Sequence, residues 1–144
     1  MSKENQFVEA CKNNDMITIK KLVCEGVNIH ADNELGFRRA CMNGHIKVVR
    51  YLTKLYEHIF ENGMKYNMID IHVDNNYSFR WACYNGHLKI ILYLIKLYKR
   101  HKCYKPINIY DESYSGGNCM MYNYPVKLIA NLGNYKEKLI NLFI

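Results

Sequence analysis

Two short stretches carry the residue types with the most obvious capacity for chemistry. Cys41-x3-His45 and Cys83-x3-His87 each set a thiol and an imidazole four positions apart, and Cys with His at short spacing can bind zinc. A closed zinc site needs four such ligands converging in good geometry. Nucleophilic catalysis would instead need Cys or Ser, a base and an orienting group in one pocket. Ser113 to Cys119 reads SYSGGNC, which has a Gly-Gly but neither a preceding strand nor the Lys of a phosphate-binding loop, so it reads as a flexible insert. His30 and His72, and Cys103 beside His101, complete the candidates.

The elements that must position these residues are themselves repeated. Phe37 to Leu52 reads FRRACMNGHIKVVRYL and Phe79 to Leu94 reads FRWACYNGHLKIILYL. Upstream, Ile29 to Asn33 (IHADN) matches Ile71 to Asn75 (IHVDN). Phe7, Ala10, Cys11 and Leu22 give an abbreviated copy, and Ala130, Gly133-Asn134 and Leu142 a faint one. The anchor residues Ala10, Ala40, Ala82 and Ala130 are spaced 30, 42 and 48 residues apart. Four units are expected over about 4–30, 31–71, 72–109 and 110–144, the last degenerate, in one domain.

Each unit decodes as a helix pair. Phe79, Ala82, Cys83 and Gly86 fall at i, i+3, i+4 and i+7, one stripe of a helix. Phe37, Ala40, Cys41 and Gly44 do the same. Ala and Cys at the centre let a neighbouring helix come close. Asn-Gly ends the first helix, because Gly takes the left-handed conformation without a Cβ penalty. The second helix, from about His87, should carry Leu88, Ile91, Leu92 and Ile95 inward and Lys89, Lys96 and Lys99 outward. In the preceding unit Ile46, Val49, Leu52 and Tyr56 take the buried part. So short a pair cannot bury its apolar face alone, and stacked copies share one core.

Repetition also decides among the chemistries. Each Cys belongs to a packed stripe, each His opens a helix, and the two pairs sit in separate layers. We expect no metal site, no cofactor and no catalysis, since no constellation meets the criteria for a site.

The composition is rich in Asn, Lys, Ile and Tyr and poor in Pro and Ala, which is the bias of an AT-rich coding sequence. The net charge of +7 permits a nucleic-acid surface or an acidic partner, but the lysines are scattered along the chain. The N-terminal stretch has no basic region followed by an apolar run. The most apolar segment is broken by Lys89 and Lys96, so no membrane span is expected. A cytoplasmic or nuclear location is therefore expected, with the six cysteines as reduced thiols.

FRRACMNGH and FRWACYNGH, each followed by an apolar helix ending in Leu, resemble the ankyrin repeat. Phe37 and Phe79 stand where the family has Leu, Gly44-His45 and Gly86-His87 match its Gly-His, and Val48-Val49 and Ile90-Ile91 its paired aliphatics. The resemblance implies an all-α solenoid of about four stacked helix-turn-helix units. Leu35-Gly36 and Tyr77-Ser78 replace the family's Thr-Pro, and Arg38 and Arg80 replace its His, so the turn must be held differently. Long second helices and inserts at about 61–70 and 111–125 also depart from the pattern. The phrasing and the composition resemble ankyrin proteins of amoeba-infecting giant DNA viruses.

The resemblance further implies a monomeric module that binds a protein, possibly of the host, through a concave face. Carried over by position, that face holds Arg39, Met42, Asn43, Trp81, Tyr84 and Asn85. Asn33, Glu34, Asn75, Asn76 and Tyr77 border it as hairpin tips. Trp81 and Tyr84 could instead cover a neighbouring layer. A basic nucleic-acid-associated protein on the same stack, or a shortened paralogue without an active role, are the alternatives. Val126 to Ile144 is amphipathic and reads as a terminal cap or a recruiting segment.

Overall fold

The computed structural model describes residues 1–62 and 68–100, excepting the side chains of 56–62, 75 and 98–100. The faint fourth copy and the insert at 111–125 lie outside the described residues. Among the described residues six helices follow one another: α1 (Lys3–Lys12), α2 (Met16–Cys24), α3 (Ala31–Met42), α4 (Ile46–Asn62), α5 (Val73–Tyr84) and α6 (Leu88–Arg100). No strand occurs among the described residues. The fold is an all-α stack of helix-turn-helix layers, with α1, α3 and α5 side by side.

The small stripe does what its residue types dictate. Ala40, Cys41, Ala82 and Cys83 are fully buried, and Phe7, Phe37 and Phe79 plug the layers. Gly36 lies so close to the first layer that a Cβ on it would stand 2.6 Å from Phe7 Cε1. Apolar residues opening the IHxDN segments and two positions before them complete the core: Val27 and Ile29 after the first layer, Ile69 and Ile71 after the second.

Local signals set the helix ends. Ser2 caps α1 by accepting from Asn5 N at 3.1 Å. Asp15 caps α2, accepting from Thr18 N at 3.1 Å. Bonds from the Thr18 side chain and backbone, in that order, hold the Asp15 carboxyl below its usual range. Gly44 and Gly86 end α3 and α5 at φ 79° and 72°, and Asn14 does the same after α1 at φ 59°.

The buried stripe of the second helices is rotated from the sequence expectation. Ile90, Ile91, Leu94, Ile95 and Leu97 are buried, whereas Leu88 and Leu92 are only half-buried. In α4 the buried set is Val48, Val49, Leu52 and Thr53, with Ile46 half-buried; the side chain of Tyr56 lies outside those described. The reason is packing: a second helix must cover both its own first helix and the neighbouring layer, so its stripe is paired and wide. The insert at 61–70 begins as a continuation of α4, which runs 17 residues to Asn62.

Candidate functional site

The turns that open α3 and α5 border the candidate face, and they are not β-hairpins. Asp32, Asn33 and Glu34 are all left-handed, at φ 52°, 54° and 61°. Asp74 and Asn76 repeat this at φ 50° and 60°. Asp and Asn tolerate that region, but each non-glycine there costs about 1–2 kcal/mol. Arg38, in place of the family's His, closes the turn: its Nε donates to Asn33 O and its Nη2 to Asp32 O, both at 2.8 Å. Arg80 Nη2 donates to Asp74 O at 3.0 Å. Arg38 also reaches the next layer, with Nη1 2.9 Å from Asp74 Oδ2 and its guanidinium 4.9 Å over the Tyr77 ring.

One tip residue is corrected by this geometry. Glu34 is not an exposed tip but 6 % exposed, because the left-handed turn folds its side chain inward. Glu34 Oε1 accepts from His30 Nδ1 at 2.7 Å and from the backbone N–H of Asp70 at 3.1 Å. Its counterpart Asn76 is half-buried and takes His72 Nδ1 at 2.6 Å. Asn33 is exposed. The side chain of Asn75 lies outside those described. Tyr77 is half-buried beside the face.

The solvent side of α3 and α5 brings the remaining candidates together. Tyr77, Trp81 and Tyr84 form one run along α5, at i, i+4 and i+7. The Tyr77 and Trp81 rings are 5.8 Å apart and the Trp81 and Tyr84 rings 5.2 Å, the latter edge to face, within the range of favourable aromatic pairs. Tyr84 is 45 % exposed and Trp81 half-buried. The same run on α3 is Leu35, Arg39 and Met42, and Tyr77 OH lies 3.9 Å from Met42 Sδ. Asn43 and Asn85 are exposed, and each is anchored. Asn43 Nδ2 donates to Arg39 O at 2.8 Å and Asn85 Nδ2 to Met42 O at 3.0 Å. Leu35 and Tyr77 as members of this run follow from the helical spacing, although the sequence reading assigned one to the turn and the other to a tip.

The Cys and His residues serve the stack. Cys11, Cys41 and Cys83 are buried free thiols. Burial pushes the pKa of Cys11 and Cys83 up to about 12 and raises that of Cys41 as well, so none of the three is poised as a thiolate. His45 Nε2 lies 2.7 Å from Lys12 O, and His87 Nε2 2.9 Å from Met42 O. A carbonyl only accepts, so each imidazole donates to the last turn of the preceding first helix, where carbonyls lack helical partners. Among the described residues no cluster of three or more His, Cys, Asp or Glu is placed to hold a metal ion. Nor, among them, is any helix long and apolar enough to cross a membrane.

A family model described as "Ankyrin repeats (3 copies)" matches residues 7–108. No curated protein and no solved structure gave a match.

Proposed function

Because the chain belongs to the ankyrin-repeat family, whose repeats are generally protein–protein interaction modules, we propose that it is a non-catalytic module binding a protein on the solvent side of α3 and α5. The observation that carries this reading is the Tyr77–Trp81–Tyr84 run, turned to the surface beside the sealed Ala82 and Cys83. Trp, Tyr and Arg dominate measured interface energies, and Arg39 stands in the adjoining layer. Asn43, Asn85 and Met42 would supply the surrounding contacts, with Asn33, Asn75, Asn76 and Tyr77 at the border. The sequence phrasing and the Asn/Lys/Ile/Tyr bias support an origin among giant DNA viruses of amoebae. We therefore read the partner as a host protein, met in the cytoplasm or nucleus of the infected cell by a monomer of this chain.

Affinity capture from infected cells, with wild type beside a Trp81→Ala, Tyr84→Ala variant, tests the reading. A partner held by wild type alone should then, in purified form, bind Trp81→Ala more weakly by about 2 kcal/mol or more, with the thermal midpoint little changed. Ala82→Leu is the contrasting control, expected to cost about 1–3 kcal/mol of stability through overpacking. A Trp81→Ala protein that unfolds like Ala82→Leu would assign Trp81 to the core and remove the proposed face.

A further inference from the structure

The opposite side of the stack carries a second surface, made of charge. Lys20 on α2, Lys47, Arg50 and Lys54 on α4, and Lys89 and Lys96 on α6 are all exposed. Lys47, Arg50 and Lys54 fall at i, i+3 and i+7, one stripe of a helix, and the cations of α2 and α6 occupy corresponding places in their layers. Scattered in the sequence, they are gathered by stacking.

What makes the patch one-signed is the absence of carboxylates within it. No Asp or Glu occurs from Met16 to Cys24, from Ile46 to Tyr56 or from Leu88 to Arg100, and the carboxylates of α4, Glu57 and Glu61, come only after Lys54, toward the end of that helix. The two acids at the ends of α2 are engaged, Asp15 with Thr18 and Glu25 with Lys3 at 3.1 Å. None of the six cations forms an ion pair among the described residues. With layers about 8–10 Å apart, the grid spans roughly 20 Å across the stack. Along α4 the stripe covers about 10 Å, from the helical rise.

We propose that this second-helix face binds duplex nucleic acid through its phosphates. A duplex offers about one negative charge per 1.7 Å of axis, so a grid of this size meets several phosphates at once. A single strand would need aromatic faces for its bases to stack on. The two tyrosines among the described side chains of these helices are already covered: Lys20 Nζ stands 5.9 Å over the Tyr51 ring and the Arg50 guanidinium 5.6 Å over that of Tyr93. An anionic membrane would favour apolar side chains that insert beside the cations. The described residues of α2, α4 and α6 expose one large apolar side chain, Ile17. The contacts proposed are to phosphates alone, which carry no sequence information, so the binding is independent of sequence. The face lies apart from the Trp81 surface, and either can fail alone.

The test is fluorescence anisotropy of the full chain with a labelled duplex of about 20 base pairs, titrated from about 50 to 200 mM salt. Affinity should fall with a log–log slope between about −3.6 and −5.4, as expected for four to six phosphate contacts. Lys47→Gln, Arg50→Gln and Lys54→Gln together should weaken binding about tenfold or more and make the slope shallower by about two to three. Lys89→Gln with Lys96→Gln is the second variant, on a different helix, should the first disturb folding. Trp81→Ala should bind the duplex as wild type does. The proposal is overturned by absent binding at the lowest salt or by Gln variants that bind unchanged. Tighter binding to a single strand of equal length overturns it too, as does binding to phosphatidylserine-containing vesicles in preference to the duplex.

Discussion

The second and third layers are near copies, and they differ only in certain places. Phe37 and Phe79, Ala40 and Ala82, Cys41 and Cys83, and Gly44-His45 and Gly86-His87 correspond, and the Phe, Ala and Cys residues are buried in both. The pairs that change chemical character most face outward or sit at the turn: Arg39 against Trp81, Met42 against Tyr84, Arg50 against Leu92, Glu34 against Asn76. The buried pairs that differ stay small or β-branched: Gly36 against Ser78, Val48 against Ile90, Val49 against Ile91 and Thr53 against Ile95. Positions that touch the next layer are therefore held by packing, while those that meet solvent are free to specialise. The first layer shows the same division. At the place of Arg39 and Trp81 it has Glu9, and at that of Met42 and Tyr84 it has Lys12, so the solvent side of the first helices passes from charged to aromatic along the stack.

The sharpest way to separate the two layers is through their shared glycine. Gly44 and Gly86 are both left-handed, but their surroundings differ. A Cβ on Gly44 would stand 2.7 Å from Cε1 and Nδ1 of His87, whereas one on Gly86 meets nothing within 4 Å. Gly86→Ala thus incurs the backbone penalty alone, about 1–2 kcal/mol. Gly44→Ala adds overpacking of about 1–3 kcal/mol, and moving the ring away would break the His87 bond to Met42 O. Denaturant melts of the two variants should differ by at least 1 kcal/mol, roughly the lower bound of that overpacking term. Equal losses would mean the ring yields freely and the His bond contributes little.

The turn gives the next largest contrast. Glu34→Ala removes the acceptor for His30 Nδ1 and for the Asp70 N–H, and leaves those groups unsatisfied at a cost of about 1–3 kcal/mol. Asn76 accepts from His72 without carrying a charge, so Asn76→Ala should cost about 1 kcal/mol. Hydrogen exchange of the Asp70 amide should quicken in the first variant alone. An unchanged Asp70 amide in Glu34→Ala would remove the link between the second layer and the segment leading into the third.

These contrasts also mark what could be read from the chain. The Phe-x-x-Ala-Cys stripes, the Asn-Gly stops and the layered repeat follow from helical period and glycine conformation, and they predict the buried residues of the first helices. The turn was not legible, because Asp32, Asn33 and Glu34 include no glycine to announce three left-handed residues. The inward course of Glu34 depends on that geometry. The aromatic run was partly visible: Trp81 and Tyr84 lie off the buried stripe, but Tyr77 joins them only once the turn places it on α5. The basic face was hidden because it is a property of neighbouring layers, and no linear window contains Lys20, Arg50 and Lys96 together.

The smallest expected effect tests the outer side. Arg50 lies over Tyr93 of the next layer as Lys20 lies over Tyr51, and the series stops at the third layer, where Leu92 takes the cation's place. Tyr93 is held independently, its OH 2.7 Å from Thr53 Oγ1, so Arg50→Ala leaves the ring in position and removes only the cation. The loss should be about 0.5–1 kcal/mol, the range for an exposed cation–π contact. Arg50→Lys should recover part of it, since the charge is kept while the planar stacking surface is lost. A loss well above that range would mean that Arg50 also organises the packing between α4 and α6. No loss at all would mean that the cations are held in place by their own helices, and that the regular layering of charge over tyrosine contributes nothing to the stability of the stack.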